Sequence, residues 1–158
     1  MKIIVGVADM KIASEPDDVL VTHGLGSCLG ISAWDRQSRV GGLLHVMLPS
    51  SSVNPEKAQD NPYMFVDTGV PQFFKQLYQA GAIKSRLIVK VAGGASSREG
   101  EDRFAIGERN FTTLRKMFWK NSVLIDAHDV GGREARTMFV HTSDGRVLLS
   151  VNGQDREL

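Results

Sequence analysis

The stretch Cys28-Leu29-Gly30-Ile31-Ser32-Ala33-Trp34-Asp35-Arg36-Gln37-Ser38-Arg39-Val40-Gly41-Gly42-Leu43-Leu44-His45-Val46-Met47-Leu48 reads as two extended segments around a polar turn. Residues 28–34 and 39–48 are apolar and strand-like, and Asp35-Arg36-Gln37-Ser38 has the Asp-first composition of a turn. Together they predict an antiparallel hairpin. A four-residue loop over 35–38, or a two-residue loop at Arg36-Gln37, sets Trp34 against Arg39 and therefore Cys28 against His45. The two side chains then share a face, with Cβ atoms about 4.5–5.5 Å apart. A three-residue loop would pair Cys28 with Leu44 or Val46 and turn His45 away, because one step of register reverses the face. Gly41-Gly42 is also a place where a bulge can sit.

Working outward, residues 2–8 and 19–22 are short, rich in β-branched side chains and bounded by charge or glycine, so both are predicted strands. Gly24-Leu25-Gly26-Ser27 is a tight turn between the second of these and the hairpin. Downstream, residues 49–62 change to serine, asparagine and proline, predicting an exposed, mobile loop long enough to carry function. Val66, Val70, Phe73, Phe74, Leu77 and Tyr78 recur every three or four residues, which is one apolar helix face closed by Gly81, with Pro71 placed near the helix start. Residues 86–92 read as a buried strand ending in Gly93-Gly94, and residues 98–103 as a charged loop. Ile106, Phe111, Leu114, Met117 and Phe118 outline a second amphipathic helix. Residues 123–127 read as a strand, and 135–142 with 146–151 form a hairpin around Ser143-Asp144-Gly145. Two main helices among seven or eight strands predict an α+β fold, a layered sandwich with mixed, largely antiparallel sheets.

The length of 158 residues, 42% hydrophobic and 23% charged, fits a single domain spanning 1–158. Nineteen Lys and Arg against eighteen Asp and Glu leave a net charge of +1, too little to gather phosphate or anionic lipid, so no nucleic-acid partner is expected. One cysteine permits no intrachain disulfide and suits a reducing compartment. The apolar run after Lys2 is shorter than the roughly 7–15 residues of a secretory signal, and no other stretch approaches membrane-spanning length. A cytoplasmic protein without membrane insertion is expected.

Gly24, Gly26 and Gly30 resemble a dinucleotide fingerprint only loosely, because a strand follows them where a helix should receive the pyrophosphate. No cofactor is expected. Asp126, His128 and Asp129 lie close in sequence, but alternation splits them between two faces, and a solvated strand end explains them better than a metal. His23 beside the glycine turn reads as a surface residue.

Cys28 and His45 carry the sharper signal. An isolated cysteine beside Leu29 and Ile31 is, on composition, an inert buried thiol. The hairpin register puts an imidazole next to it, and a base that holds the thiol's proton lowers its pKa and makes it a nucleophile. Backbone N–H groups at Gly26, Ser27 and Cys28 are free of bulky neighbours and suit an oxyanion. The imidazole also needs an orienting partner. Thr22 and Ser27 are the nearest candidates, and Thr22 is favoured because it need not serve the turn.

The blocks Val21-Thr22-His23-Gly24-Leu25-Gly26-Ser27-Cys28 and His45-Val46-Met47-Leu48-Pro49 resemble those of the chemoreceptor glutamine deamidase family, CheD, of bacterial chemotaxis. Val91-Ala92-Gly93-Gly94-Ala95, Ile106-Gly107-Glu108-Arg109-Asn110 and Asp129-Val130-Gly131-Gly132 ending at Arg136 extend the resemblance over nearly the whole chain. It implies hydrolysis of glutamine side chains on methyl-accepting chemotaxis receptors to glutamate, with release of ammonia. The family's catalytic cysteine, histidine and threonine fall on Cys28, His45 and Thr22. The implied fold is similar to the catalytic domain of cytotoxic necrotizing factor toxins. The implied partners are receptor cytoplasmic helices and, as for some members of that family, a CheC-type phosphatase. A non-catalytic chemotaxis adaptor, or a different thiol hydrolase, is the competing reading.

Overall fold

A computed structural model of the chain describes residues 1–96 and 104–158. The charged loop expected over 98–103 falls outside them. The strands are β1 (Lys2–Ile4), β2 (Asp9–Ala13), β3 (Val19–Leu25), β4 (Leu29–Asp35), β5 (Gly41–Val46), β6 (Leu87–Gly93), β7 (Ala127–Val130), β8 (Arg136–His141), β9 (Val147–Val151) and β10 (Gln154–Glu157). The helices are α1 (Pro55–Asp60), α2 (Val66–Gln79) and α3 (Ile106–Lys120). A central sheet runs in the order β2-β5-β4-β6-β7, and an outer sheet in the order β1-β3-β8-β9-β10. Only β6–β7 and β1–β3 pair in parallel among these ladders.

The layers follow from which faces are apolar. Leu29, Ile31 and Ala33 of β4 with Leu44 and Val46 of β5 meet Val70, Phe73 and Leu77 of α2 and Leu114 and Phe118 of α3 in one core. Leu43 and Ala92, on the other face of the central sheet, meet Leu20, Leu25, Met138, Val140 and Leu149 of the outer sheet in a second. The central strands are therefore covered on both sides, which is why β4 and β5 read as unbroken apolar runs. The predicted layered α+β sandwich with two main helices is the observed fold.

The hairpin forms with a register two residues from the expected one. Trp34 pairs with Gly41 and Gly30 with His45. The Asp35 N–H donates to the Val40 carbonyl at 2.9 Å and Arg39 N–H to the Asp35 carbonyl at 2.8 Å, so the loop is residues 36–39. Asp35 holds this turn, its buried carboxylate accepting N–H groups of Gln37, Ser38 and Ile83 and pairing with Arg86 at 2.8 Å. A shift of two keeps every side chain on its expected face.

Several boundaries differ. The segment 2–8 is not one strand: Ala8, at φ 55, turns the chain so that β1 joins the outer sheet and β2 the central one. β3 continues past Thr22 to Leu25 with one extra residue against β8. The expected loop over 49–62 folds into short helical turns, because Ser50, Asn54 and Asn61 each accept the N–H of Ser52, Lys57 and Tyr63 and start a turn there. α2 begins at Val66, ahead of Pro71, which lies inside it with its ring toward solvent. Strand β7 starts only at Ala127, the Asp126 carboxylate instead accepting the Val89 N–H at 2.7 Å. β10, exposed throughout, has no apolar alternation to announce it.

Asp35→Ala should cost about 3–5 kcal/mol in urea unfolding, since it strips a buried partner from Arg86 and from turn N–H groups. Glu157→Ala, which breaks the exposed pair with Arg146, should cost no more than about 1 kcal/mol. Equal losses in the two variants would remove Asp35 from its role in the turn.

Candidate active site

At one rim of the sandwich the registers bring together the ends of β3, β5, β6 and β7 and the start of β4: Leu29 pairs with Val46 and Gly93, Gly93 with Val130, and Leu25 with Arg136. The connections at this rim are laced by backbone bonds. Gly94 N–H donates to the Cys28 carbonyl at 2.9 Å, Ala95 N–H to Gly26 at 2.8 Å, and Ser96 N–H to Gly132 at 2.8 Å. Gly93, at φ 110, lies so close that a Cβ there would overlap the Cys28 carbonyl oxygen, and a Cβ on Gly107 would overlap the carbonyls of Gly94 and Ala95. The glycine pair and the α3 glycine are thus what lets β6 and α3 press against the cysteine loop.

Cys28 sits one residue before β4, partly exposed, packed against the core between the sheets. His45, fully buried, points into the same layer, since Leu44 and Val46 on either side of it face the helices. Because Gly30 rather than Cys28 is its direct partner, Cys28 is the diagonal neighbour of His45 on a shared face, a relation that sets Cα atoms about 7–8 Å apart. The two are near neighbours but not hydrogen-bonded, because His45 Nε2 has no partner among the described residues.

Thr22 reaches His45 from the opposite sheet. Its Oγ1 lies 2.7 Å from His45 Nδ1 and donates to the Val5 carbonyl at 2.7 Å. A hydroxyl has one proton. With that proton on Val5, the Thr22 oxygen can only accept from His45, so Nδ1 carries the ring hydrogen and Nε2 presents a bare lone pair. The extra residue in β3, with Gly24 at φ 70, is what keeps both Thr22 and Leu25 on the inner face.

Electrostatics differ from the expected lowered thiol. Burial pushes the Cys28 thiol up, only partly offset by its own backbone N–H, and the same dryness pushes His45 down to about 4. At neutral pH the resting pair is an undissociated thiol and a neutral imidazole. The expected oxyanion donors also divide. The Gly26 N–H is taken by the Gly24 carbonyl at 2.9 Å, whereas the Ser27 and Cys28 N–H groups have no backbone acceptor among the described residues.

Ser27 does not meet His45; its carbonyl accepts from Asn110 Nδ2 at 2.9 Å, and the same nitrogen donates to Met47 at 2.9 Å. Asn110 carried no role in the sequence reading. The available signal was its place on the buried stripe of α3, with Gly107, Leu114 and Phe118, where an apolar residue belongs. Asp126, His128 and Asp129 take separate partners: the Val89 N–H, the Phe111 ring, and the guanidinium groups of Arg136 and Arg156. His23 is exposed. Among the described residues no helix is long and apolar enough to cross a membrane.

The two-sheet sandwich with helices on one side carries a part-exposed thiol and a tautomer-fixed imidazole on one inner face, groups whose chemistry suits nucleophilic attack on a carbonyl. The family described as CheD chemotactic sensory transduction matches residues 47–151. That span begins two residues past His45 and leaves Cys28 and His45 outside it, and relatives matched over nearly the whole chain cover the rest. One from Solibacter usitatus, named probable chemoreceptor glutamine deamidase CheD, is 45% identical over 99% of this chain and 93% of its own. One from Syntrophus aciditrophicus, named probable chemoreceptor glutamine deamidase CheD 1, is 45% identical over 96% of this chain and 94% of its own. One from Anaeromyxobacter dehalogenans, named probable chemoreceptor glutamine deamidase CheD 2, is 42% identical over 96% of each. The chain belongs to the CheD family.

Iodoacetamide alkylation of Cys28 in the resting protein should be slow at neutral pH and rise with a midpoint above the ordinary thiol range; a midpoint below pH 7 would reveal a resting thiolate–imidazolium pair. Nitrogen NMR should show His45 protonated at Nδ1 alone down to about pH 4. Because the unfolded chain binds that proton near pH 6.5, stability should fall as pH drops from there toward the folded value. Thr22→Val should mix the tautomers and cost about 1–3 kcal/mol by orphaning a buried N–H, while the pH dependence, which comes from burial of the ring, should persist.

Proposed function

We propose that residues 1–158 act as one deamidase domain that hydrolyses glutamine side chains on methyl-accepting chemotaxis receptors to glutamate and ammonia. The names of the relatives support the substrate class. The observation that carries the chemistry is the proton accounting at Thr22, which leaves His45 Nε2 as an open base on the face it shares with Cys28.

In the proposed mechanism His45 Nε2 takes the Cys28 proton as sulfur attacks the carboxamide carbon. The C–S bond forms while the carbonyl π electrons move to oxygen, and the N–H groups of Ser27 and Cys28 stabilise that oxyanion. Imidazolium then gives its proton to the departing nitrogen, the C–N bond breaks, and ammonia leaves a thioester. Water, deprotonated by His45, attacks the thioester, and sulfur departs and recovers its proton. Thr22 holds the ring in the required tautomer throughout, contributing orientation without charge. No cofactor enters these steps. A CheC-type phosphatase that presents a receptor-like helix would compete for this rim and slow conversion.

Mass spectrometry of a receptor cytoplasmic fragment should show no glutamine-to-glutamate conversion with Cys28→Ala, whose circular dichroism should match the wild type. His45→Ala should lower the rate by about 10²–10⁴-fold, and Thr22→Ala by less. Conversion that persists in the Cys28 variant would remove the nucleophile assignment, and retained receptor binding with no ammonia from the wild type would favour an adaptor. Release of peptide fragments would indicate a peptidase instead.

A further inference from the structure

We propose that Asn110 is a positioning residue that presets the oxyanion donor at Cys28; this rests on the deamidase reading above. Asn110 is fully buried on α3, and neither of its two hydrogen bonds goes to Cys28 or His45. Its Nδ2 donates to the Ser27 carbonyl and to the Met47 carbonyl, both at 2.9 Å. Two carbonyl oxygens on one side of the amide require its NH₂ group there, since the reverse orientation would set oxygen against two oxygens. One side chain therefore ties the residue before the candidate nucleophile to the residue two beyond the candidate base.

The tie to Ser27 fixes more than distance. The Ser27 carbonyl and the Cys28 N–H belong to one planar trans peptide, so they point in opposite directions. Holding the carbonyl against α3 aims the Cys28 N–H the other way, toward its own sulfur, which is where that N–H acts on the thiol. An oxyanion formed by attack of that sulfur is one bond from the attacked carbon, within reach of the same N–H. The preceding peptide is held likewise, its Gly26 carbonyl accepting the Ala95 N–H at 2.8 Å and leaving the Ser27 N–H without a backbone acceptor among the described residues. The donors are thereby fixed before substrate arrives, and fixed dipoles need no reorganisation as charge develops.

Asn110 Oδ1 is buried with no hydrogen-bond partner among the described residues, so the amide is not explained by what its oxygen accepts. Its NH₂ group is the donor for the Ser27 and Met47 carbonyls, and Leu or Met on this helix stripe would leave both without it. A polar residue on an otherwise apolar stripe is accounted for by what its NH₂ group holds.

The test compares amide hydrolysis with simple alkylation, because iodoacetamide needs the sulfur but forms no oxyanion. In Asn110→Ser, deamidation kcat per titratable Cys28 thiol should fall by about 10–10²-fold. KM for the receptor fragment should stay within about twofold, and the limiting alkylation rate at high pH within about threefold, because neither step forms an oxyanion; only the alkylation midpoint should rise slightly as the Cys28 N–H leaves the sulfur. Asn110→Ala, which has neither a donor nor a charge, should behave alike. Undiminished kcat, a fall that alkylation matches, or failure of both variants to fold would overturn the positioning role. Wild-type protein that releases no ammonia would instead overturn the deamidase reading and this inference with it.

Discussion

The hydrogen bond from His45 Nδ1 to Thr22 Oγ1 joins the inner faces of the two sheets at 2.7 Å, with its proton settled by the Thr22 bond to Val5. Much of the architecture serves to make that contact. It needs the sheets close at this end, and Gly30, the ladder partner of His45, provides this: a Cβ there would lie 2.8 Å from Met138 Sδ. It needs Thr22 facing inward just before the chain turns toward Cys28, and the extra residue before Leu25 absorbs the change of direction. It also needs His45 on the face away from the helices, which depends on how many residues the 36–39 loop contains.

That last dependence explains why the site was legible before its geometry was. Alternation along a strand has period two, so any even error in register returns the same faces. The expected pairing of Cys28 with His45 was displaced by two, to Gly30 with His45, and the shared face survived. The displacement itself was unreadable, because it is set by Asp35 accepting N–H groups from Ile83 and a guanidinium from Arg86, residues some fifty positions away. The helices were legible for a similar reason: α2 and α3 each carry a long apolar stripe with a 3.6-residue period, and their ends moved by only a few residues.

What escaped the sequence was decided by single backbone torsions or by local caps. Ala8 at φ 55 divides one apolar run between two sheets, and nothing in alanine announces a left-handed turn; its carbonyl accepts from Asn61 Nδ2, a distant tie. Residues 49–62 looked like open loop because serine, asparagine and proline terminate regular structure, yet the same residues are the best N-caps, and here three of them start helical turns in succession. Asn110 stands out as a polar residue on the apolar stripe of α3, but its partners are carbonyls, which no side-chain pattern reveals.

The opposed shifts of the candidate pair bear on when charge appears. A half-buried thiol pushed up and a buried imidazole pushed down both favour the neutral forms. Separating them into thiolate and imidazolium at rest would set two charges in a wall lined by Leu25, Leu43 and Met138, where desolvation opposes ionisation. On the proposed mechanism the proton moves only as sulfur bonds to carbon, and the negative charge passes at once to the carboxamide oxygen beside the Ser27 and Cys28 N–H groups. Stabilisation is then withheld from the ground state and released in the transition state, the condition under which an interaction raises kcat instead of merely tightening binding. A resting thiolate would react with any electrophile that reached the rim. A thiol that ionises only against a correctly seated amide confines the chemistry to substrates that place their carbonyl oxygen on those two donors.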